Sequence, residues 1–408
     1  MANPRERVRP PDTGHHEASR PGGAMEVGEN AVREFAAHDI LHRQSGARHG
    51  MTSGVMSFDE QGYDRPLLGG PVDLGFDSFF GIRASTDISP YFYIRGNRAV
   101  VPPTSTIPAS RTPGWSPIQG EFWREGGIAP DLALSDVLPR FTQEAVDLIT
   151  EHAARKTRKP LMLYLALPAP HTPWLPAAEF RGTSAAQLYG DFVSMTDAMI
   201  GRVLQALDTT GLRKDTLVIF ASDNGPTWYP RDTQWTGHDS TGGWRGMKGD
   251  AWEAGHRVPF IVRWPGKVRS GSTSAQTICF TDLMATFASI VGARLPKDAG
   301  EDSFDLLPVL LGRQSEDHPI RGPVVISSSA GYTAIRSGPW KLIDGLGSGG
   351  FTAPSRVEPE TGGPRGQLYN LSQDPGESTN LWLQHPDVVQ RLGSELARIR
   401  DAGRSRPL

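Results

Sequence analysis

The alternation of helix and strand between residues 144 and 223 constrains this chain more than any other feature. "EAVDLITEHAARKTRK" (144–159) puts Ala145, Val146, Leu148, Ile149 and Ala153 on one helical face and ends in a basic turn. It leads into "PLMLYLALPAPH" (160–171), an almost unbroken apolar run that suits a parallel strand buried on both faces. A second amphipathic pattern, "AAQLYGDFVSMTDAMIGRVLQALDTTGL" (185–212), stops at Gly211, and "DTLVIFASD" (215–223) follows as a second buried strand. Helix, strand, helix, strand predicts an α/β protein with a parallel sheet wrapped by helices. Ligands of such sheets bind off the carboxyl ends of the strands, which is where "APH" and "SDNG" fall.

A chain of 408 residues has room for one large α/β domain with an appendage, or for two or three average domains. Its 42 basic and 45 acidic residues leave a net charge of −3, so no overall bias points to nucleic acid or to an anionic membrane. The single cysteine, Cys279, permits no internal disulfide and reads as a small core residue. No apolar run reaches membrane-spanning length and no signal-peptide pattern opens the chain, so the expectation is a protein that stays in the cytoplasm as written. Residues 1–60 are rich in Arg, His, Pro, Gly and Glu. Their only apolar periodicity, "NAVREFAAHDILHRQ" (30–44), predicts one amphipathic helix in an otherwise weakly ordered arm.

In "VIFASDNGPTW" (218–228) a buried strand stops on a carboxylate beside a carboxamide. Asp, Asn, Gly and Pro are ordinary turn residues, yet Asp223 and Asn224 are also two hard oxygen donors on a rigid platform, suited to a divalent cation. Lys248 in "GMKGDAWEAGHRVP" reads as a solvated loop lysine or as a contact to an anion. His171, at the end of the first buried strand, is either structural or an imidazole placed to pass a proton. Gly243, Gly246 and Gly255 bring the loop close to a substrate or permit unusual dihedrals, and Arg257 braces the fold. His238 and His256 receive no role.

Three stretches, "KPLMLYLALPAPHTPW", "DTLVIFASDNGPTW" and "GGWRGMKGDAWEAGHRVPFIVRWPG", resemble the sulfatase family, and its arylsulfatase branch in particular. Weaker likeness covers 69–100, 333–343 and 367–381. The resemblance implies an alkaline-phosphatase-like α/β/α sandwich with a small carboxyl-terminal antiparallel sheet and a closing helix. The expected organisation is an arm at 1–60, a core at 61–295 and a carboxyl-terminal subdomain at 296–408. It also implies a sulfuric ester hydrolase that uses a bound divalent cation, usually calcium, and a cysteine or serine oxidised to formylglycine. Asp223 and Asn224 then inherit the cation, Lys248 the sulfate group, and His171 the scissile ester oxygen.

Half of that family's site has no counterpart here. The resemblance calls for a central strand ending in two adjacent aspartates, and for Cys or Ser followed by x-Pro-x-Arg. The 408 residues contain no Asp-Asp pair, and Cys279 lies in "CFTD", without Pro or Arg. "TAPSR" (352–356) has Thr352 in the nucleophile's place and is read as chance; "GARHGM" (46–51) keeps His49 without the expected lysine. The expectation is therefore a sulfatase-family chain whose first strand is missing. It has no nucleophile and no available formylglycine, its calcium site is incomplete, and it is inactive as written. A truncated gene product and a decayed paralogue both fit. The alternatives are a non-catalytic sulfate- or anion-binding remnant, and a phosphatase or phosphodiesterase of the same superfamily. Natural substrate and oligomeric state do not follow from the sequence.

Overall fold

The computed structural model describes residues 62–157 and 159–407, together with the backbone of Val32–Ala37. Strands β1 (Val32–Ala37), β2 (Phe80–Ile82), β3 (Tyr93–Arg95), β4 (Arg98–Ala99), β5 (Ser105–Ile107) and β6 (Gly126–Ile128) precede helix α1 (Val137–Ala154), and β7 (Leu161–Leu165) follows it. Hydrogen bonding joins five of them in the order β4-β3-β2-β1-β7, with β1 parallel to both neighbours and β2–β3–β4 antiparallel. The result is a mixed α/β architecture.

The position of β1 corrects two expectations. Residues 30–44 were assigned a helix, and the central strand was expected to be missing, yet Val32–Ala37 runs between β2 and β7 with Val32 opposite Leu161 and Ala36 opposite both Leu165 and Phe80. An unfilled lane inside a sheet leaves two rows of backbone donors and acceptors without partners, and pairing them outweighs the local preference of a six-residue segment. The rest of the arm at 1–60, His49 included, lies outside the described residues.

Helix α2 (Gln187–Thr209) ends before Gly211, whose φ of 79° supplies the left-handed turn that stops a helix. It packs with α1 around Ile149, Ala206 and Leu207, and Leu161, Leu163 and Val218 join that cluster. Strand β8 (Val218–Ala221) therefore lies beside β7 through side chains. It does not extend the parallel sheet as expected, because its backbone pairs antiparallel with β9 (Phe260–Arg263), Ala221 opposite Phe260. Nor is β7 buried on both faces: Met162 and Tyr164 are exposed where Leu161, Leu163 and Leu165 are half-buried. An edge strand beside a helical pair covers one face only, which turns a continuous apolar run into an alternating one.

After α3 (Pro230–Thr236), α4 (Asp282–Ile290) and the short α5 (Leu307–Leu310) comes the expected carboxyl-terminal antiparallel sheet. Its order is β10 (Val324–Ser327), β11 (Thr333–Ser337), β12 (Trp340–Ile343), β13 (Gln367–Asn370). The closing helix α6 (Pro386–Ala402) opens with Pro at its first position, ends on Gly403, and buries Val388, Leu392, Leu396 and Ile399 against Ile335, Leu342 and Leu368. Each such side chain contributes roughly 1.5–3 kcal/mol of burial, so α6 is held by its apolar stripe.

Candidate functional site

The turn after β8 and the loop after α3 are stitched together by their backbones. Gly225 N–H donates to Gly255 O at 3.1 Å, and Lys248 N–H donates to Pro226 O at 2.8 Å. A Cβ at Gly225 would stand 1.6 Å from Ala254 O, and one at Gly255 would stand 2.3 Å from Asp250 O. Only glycine lets these chains touch. The structure thus brings the segment carrying Asp223 and Asn224 against the segment carrying Lys248. Gly225→Ala should separate them, with a stability loss of about 1–3 kcal/mol read from the urea midpoint.

Within the turn, Asn224 Nδ2 donates to Gly225 O at 2.9 Å, so its amide oxygen remains as an acceptor. Asp223 is exposed, with Ser222 Oγ 3.5 Å from its Oδ1. These are hard donors of the kind a calcium ion takes. They are two side chains, and no group of three or more His, Cys, Asp or Glu placed to hold a metal occurs among the described residues. The pair suits part of a cation shell and does not by itself make one.

His171 belongs to a second set of loops. Its Nδ1 lies 2.8 Å from Thr172 O, and since a carbonyl only accepts, Nδ1 carries the proton and Nε2 is left open. Asp87 Oδ1 stands 3.9 Å from the same Nδ1, held by Ser85 Oγ on that oxygen and by Arg124 Nη1 on the other at 2.5 Å. Sequence reasoning missed Asp87, a carboxylate 5% exposed within "RASTDIS"; its Ser-x-Asp spacing was the available signal.

The two sets of loops share one floor. Trp115, Trp174, Phe192, Met195 and Trp228 form a buried cluster, Trp174 N–H donates to Gly120 O at 2.9 Å, and Gln119 Nε2 donates to Thr227 O. Trp174 follows His171 by three residues and Trp228 follows Asn224 by four, so both loops rise from adjoining indoles, with ring centroids 6.4 Å apart.

A few residues beyond Lys248 in the chain, Glu253 centres a buried charge network of which the sequence reading gave a role only to Arg257. Glu253, 1% exposed, accepts from Lys341 Nζ at 3.0 Å, from His256 Nε2 at 3.2 Å, and from Arg257 and Arg336 at 3.2 Å each. Lys341, fully buried, also pairs with Glu377 at 2.9 Å, and Glu377 accepts the Glu253 backbone N–H at 2.6 Å. Burial alone would raise the Glu253 carboxyl. The His256 hydrogen bond and the Lys341 and Arg336 charges outweigh it and hold that carboxyl well below the usual range. Burial raises Glu377, with Lys341 opposing, and burial together with Lys341 lowers His256. Arg257 braces the fold as expected, through Glu253 and by stacking 3.9 Å over Trp244.

The two candidate nucleophile positions are structural. Thr352 donates Oγ1 to Asp250 Oδ2 at 2.5 Å and its N–H to Oδ1 at 3.1 Å. Cys279 is half-buried, not a core residue: its backbone N–H donates to Asp282 Oδ2 at 2.8 Å, which keeps it at the entrance of α4.

The sulfatase family's model matches residues 40–293. An N-acetylgalactosamine-6-O-sulfatase of Bacteroides thetaiotaomicron is 34% identical over 284 residues, covering 68% of this chain and 54% of that protein. The mouse N-acetylgalactosamine-6-sulfatase is 31% identical over 343 residues, covering 81% and 62%, and human arylsulfatase D is 32% identical, covering 63% and 46%. The chain thus spans about half to three-fifths of the length of these relatives. Among solved structures, one described under the metabolism of multiple glycosaminoglycans by Bacteroides thetaiotaomicron superposes with a TM-score of 0.74 at 26% identity, over 91% of this chain and 80% of that one. Another, in complex with its substrate D-glucosamine-2-N,6-O-disulfate, has a TM-score of 0.56 at 15% identity and shows likeness of fold.

Proposed function

The chain belongs to the sulfatase family, and from that premise we propose that it carries the sulfate-ester-binding half of a sulfuric ester hydrolase acting on a sulfated sugar. The observation that carries this reading is the stitching of Gly225 to Gly255 and of Lys248 to Pro226, which puts an ammonium-bearing loop against a carboxylate–carboxamide turn. Lys248 neutralises the sulfate oxygens and stabilises charge developing on them as the ester breaks. His171, with Nδ1 donating to Thr172 O, presents Nε2 to the ester oxygen, to which it hydrogen-bonds or passes a proton in its imidazolium form, where both ring nitrogens carry hydrogen. The names of the relatives, N-acetylgalactosamine-6-sulfatases among them, support a sulfated hexosamine as substrate class. The "GMKGDAWEAGHRVP" match argues against the phosphatase alternative.

Asp223 and Asn224 would hold a divalent cation, calcium by donor type, whose chemistry is to neutralise sulfate charge. Against the roughly 6–8 oxygens calcium takes, two protein side chains leave most of the shell to water, so a calorimetric titration with calcium should give weak binding. Tight binding would mean that other carboxylates complete the site. Formylglycine does not fit the chain as written: Cys279 lies in "CFTD" without the motif's Pro and Arg, and Thr352, which cannot become an aldehyde, is bound to Asp250.

The test is binding rather than turnover. The protein should bind N-acetylgalactosamine 6-sulfate more tightly than the unsulfated sugar, and Lys248→Ala should weaken the sulfated ligand about ten- to a hundred-fold, the value of a charge-assisted contact. Equal affinity of the two sugars would sink the reading.

A further inference from the structure

The excursion between the two stitched elements carries an aromatic surface that sulfate binding does not use. Because Lys248 is bonded to Pro226 and Gly225 to Gly255, residues 227–247 form a loop closed at its base beside Asp223, Asn224 and Lys248. Its helix α3 is fixed to the neighbouring loop. Asp232, fully buried, accepts Ser116 N–H at 3.3 Å and Ser116 Oγ at 2.9 Å, and Arg231 donates to Gly114 O at 2.8 Å. Trp228 Nε1 closes the far side, 2.9 Å from Thr233 Oγ1 and from His238 O.

On this helix Trp235 stands edge-on to Trp115, with centroids 4.6 Å apart and planes at 70°, and its ring covers Gly114. Trp115 is 7% exposed and continues into Trp174 and Trp228, while Trp235 is 50% exposed. An indole that served the core alone would sit among those three; this one is held rigid at one edge and open on the other. Its ring is one indole, Trp115, removed from Trp174 and Trp228, the floor from which the loops of His171 and Asn224 rise. A short saccharide whose sulfate sits at Lys248 would extend over this floor.

We infer that Trp235 is a stacking platform for a hexose ring of the sulfated saccharide, an inference that rests on the sulfate-ester reading above. A galacto-configured hexose turns its C3, C4 and C5 hydrogens to one face, and such a polarised C–H patch matches the negative face of an indole. The platform adds affinity for the sugar without touching the sulfate.

The experiment measures binding by calorimetry and by saturation-transfer NMR on the 408-residue protein. The probes are inorganic sulfate, a disaccharide bearing N-acetylgalactosamine 6-sulfate, and the unsulfated disaccharide. Trp235→Ala should weaken the sulfated disaccharide about ten-fold and remove saturation transfer to the hexose ring protons; Trp235→Phe should retain part of both. Neither substitution should change the affinity for inorganic sulfate, which also reports that the variants are folded. Lys248→Ala should weaken inorganic sulfate and the sulfated disaccharide alike. Unaltered disaccharide affinity in Trp235→Ala, with Lys248→Ala still impaired, overturns the platform and leaves the sulfate site standing. Loss in Trp235→Ala with no effect of Lys248→Ala keeps the platform and overturns the sulfate reading. A wild-type protein that binds no sulfated disaccharide overturns both.

Discussion

The 408-residue protein should hydrolyse 4-nitrophenyl sulfate no faster than its Lys248→Ala variant. A covalent mechanism without its nucleophile loses on the order of a million-fold in rate, and no Cys-x-Pro-x-Arg or Ser-x-Pro-x-Arg occurs in the sequence. Of the two hydroxyl or thiol groups that come nearest by sequence, Thr352 donates its hydroxyl to Asp250, and Cys279, in "CFTD", lacks the Pro and Arg of the motif. Binding and turnover are therefore expected to part company: Lys248→Ala changes affinity for a sulfated ligand while both proteins stay at the background rate. Turnover that Lys248→Ala abolishes would reveal a nucleophile that neither the sequence nor the loop geometry identifies, and would return the full hydrolase to consideration.

What the sequence made legible follows from how far apart the interacting residues lie. Helices α1 and α2 and strands β7 and β8 each bury a face among near neighbours, so their periodicity could be read, with ends shifted by a few residues. β1 could not be read, because "VREFAA" becomes a strand only when β2 and β7, more than forty residues downstream, offer it two ladders. The pairing of β8 with β9 across a long excursion is equally non-local. In the candidate site, Asp223, Asn224 and Lys248 sit in continuous motifs that the sequence alone singles out. Glu253, Lys341 and Glu377 are not singled out in this way, since their bonds span 88 and 124 residues and each alone resembles a surface charge. Asp87 escaped for the same reason, facing His171 from a loop 84 positions earlier.

Lys341→Met should be the most destabilising single substitution in the carboxyl-terminal half, at about 3–5 kcal/mol, because it leaves the Glu253 and Glu377 carboxylates buried without the cation between them. The measurement is the urea midpoint at constant m-value. Changing Lys341 to Met together with Glu377→Gln should recover part of the loss, since a neutral amide asks for less compensation than a carboxylate. The pH profile separates this electrostatic account from simple loss of packing. His256 has a folded pKa below its ordinary 6.5, so the unfolded chain takes up its proton first, and stability falls as pH drops below that value. Glu253 is held low as well; its contribution is complete above the ordinary 4.5 and is lost as pH falls through its folded value. Glu377, held high, works the other way, gaining stability as pH falls from its raised value toward 4.5. Lys341 depresses all three, so removing it relaxes His256 and Glu253 toward their ordinary values and lets Glu377 rise further. The variant's stability should then decline less steeply than the wild type's below about pH 6.5, and the two curves should converge in acid. Parallel curves would mean that Lys341 stabilises the sheet through its aliphatic stem, and that the loop carrying Lys248 does not depend on its charge.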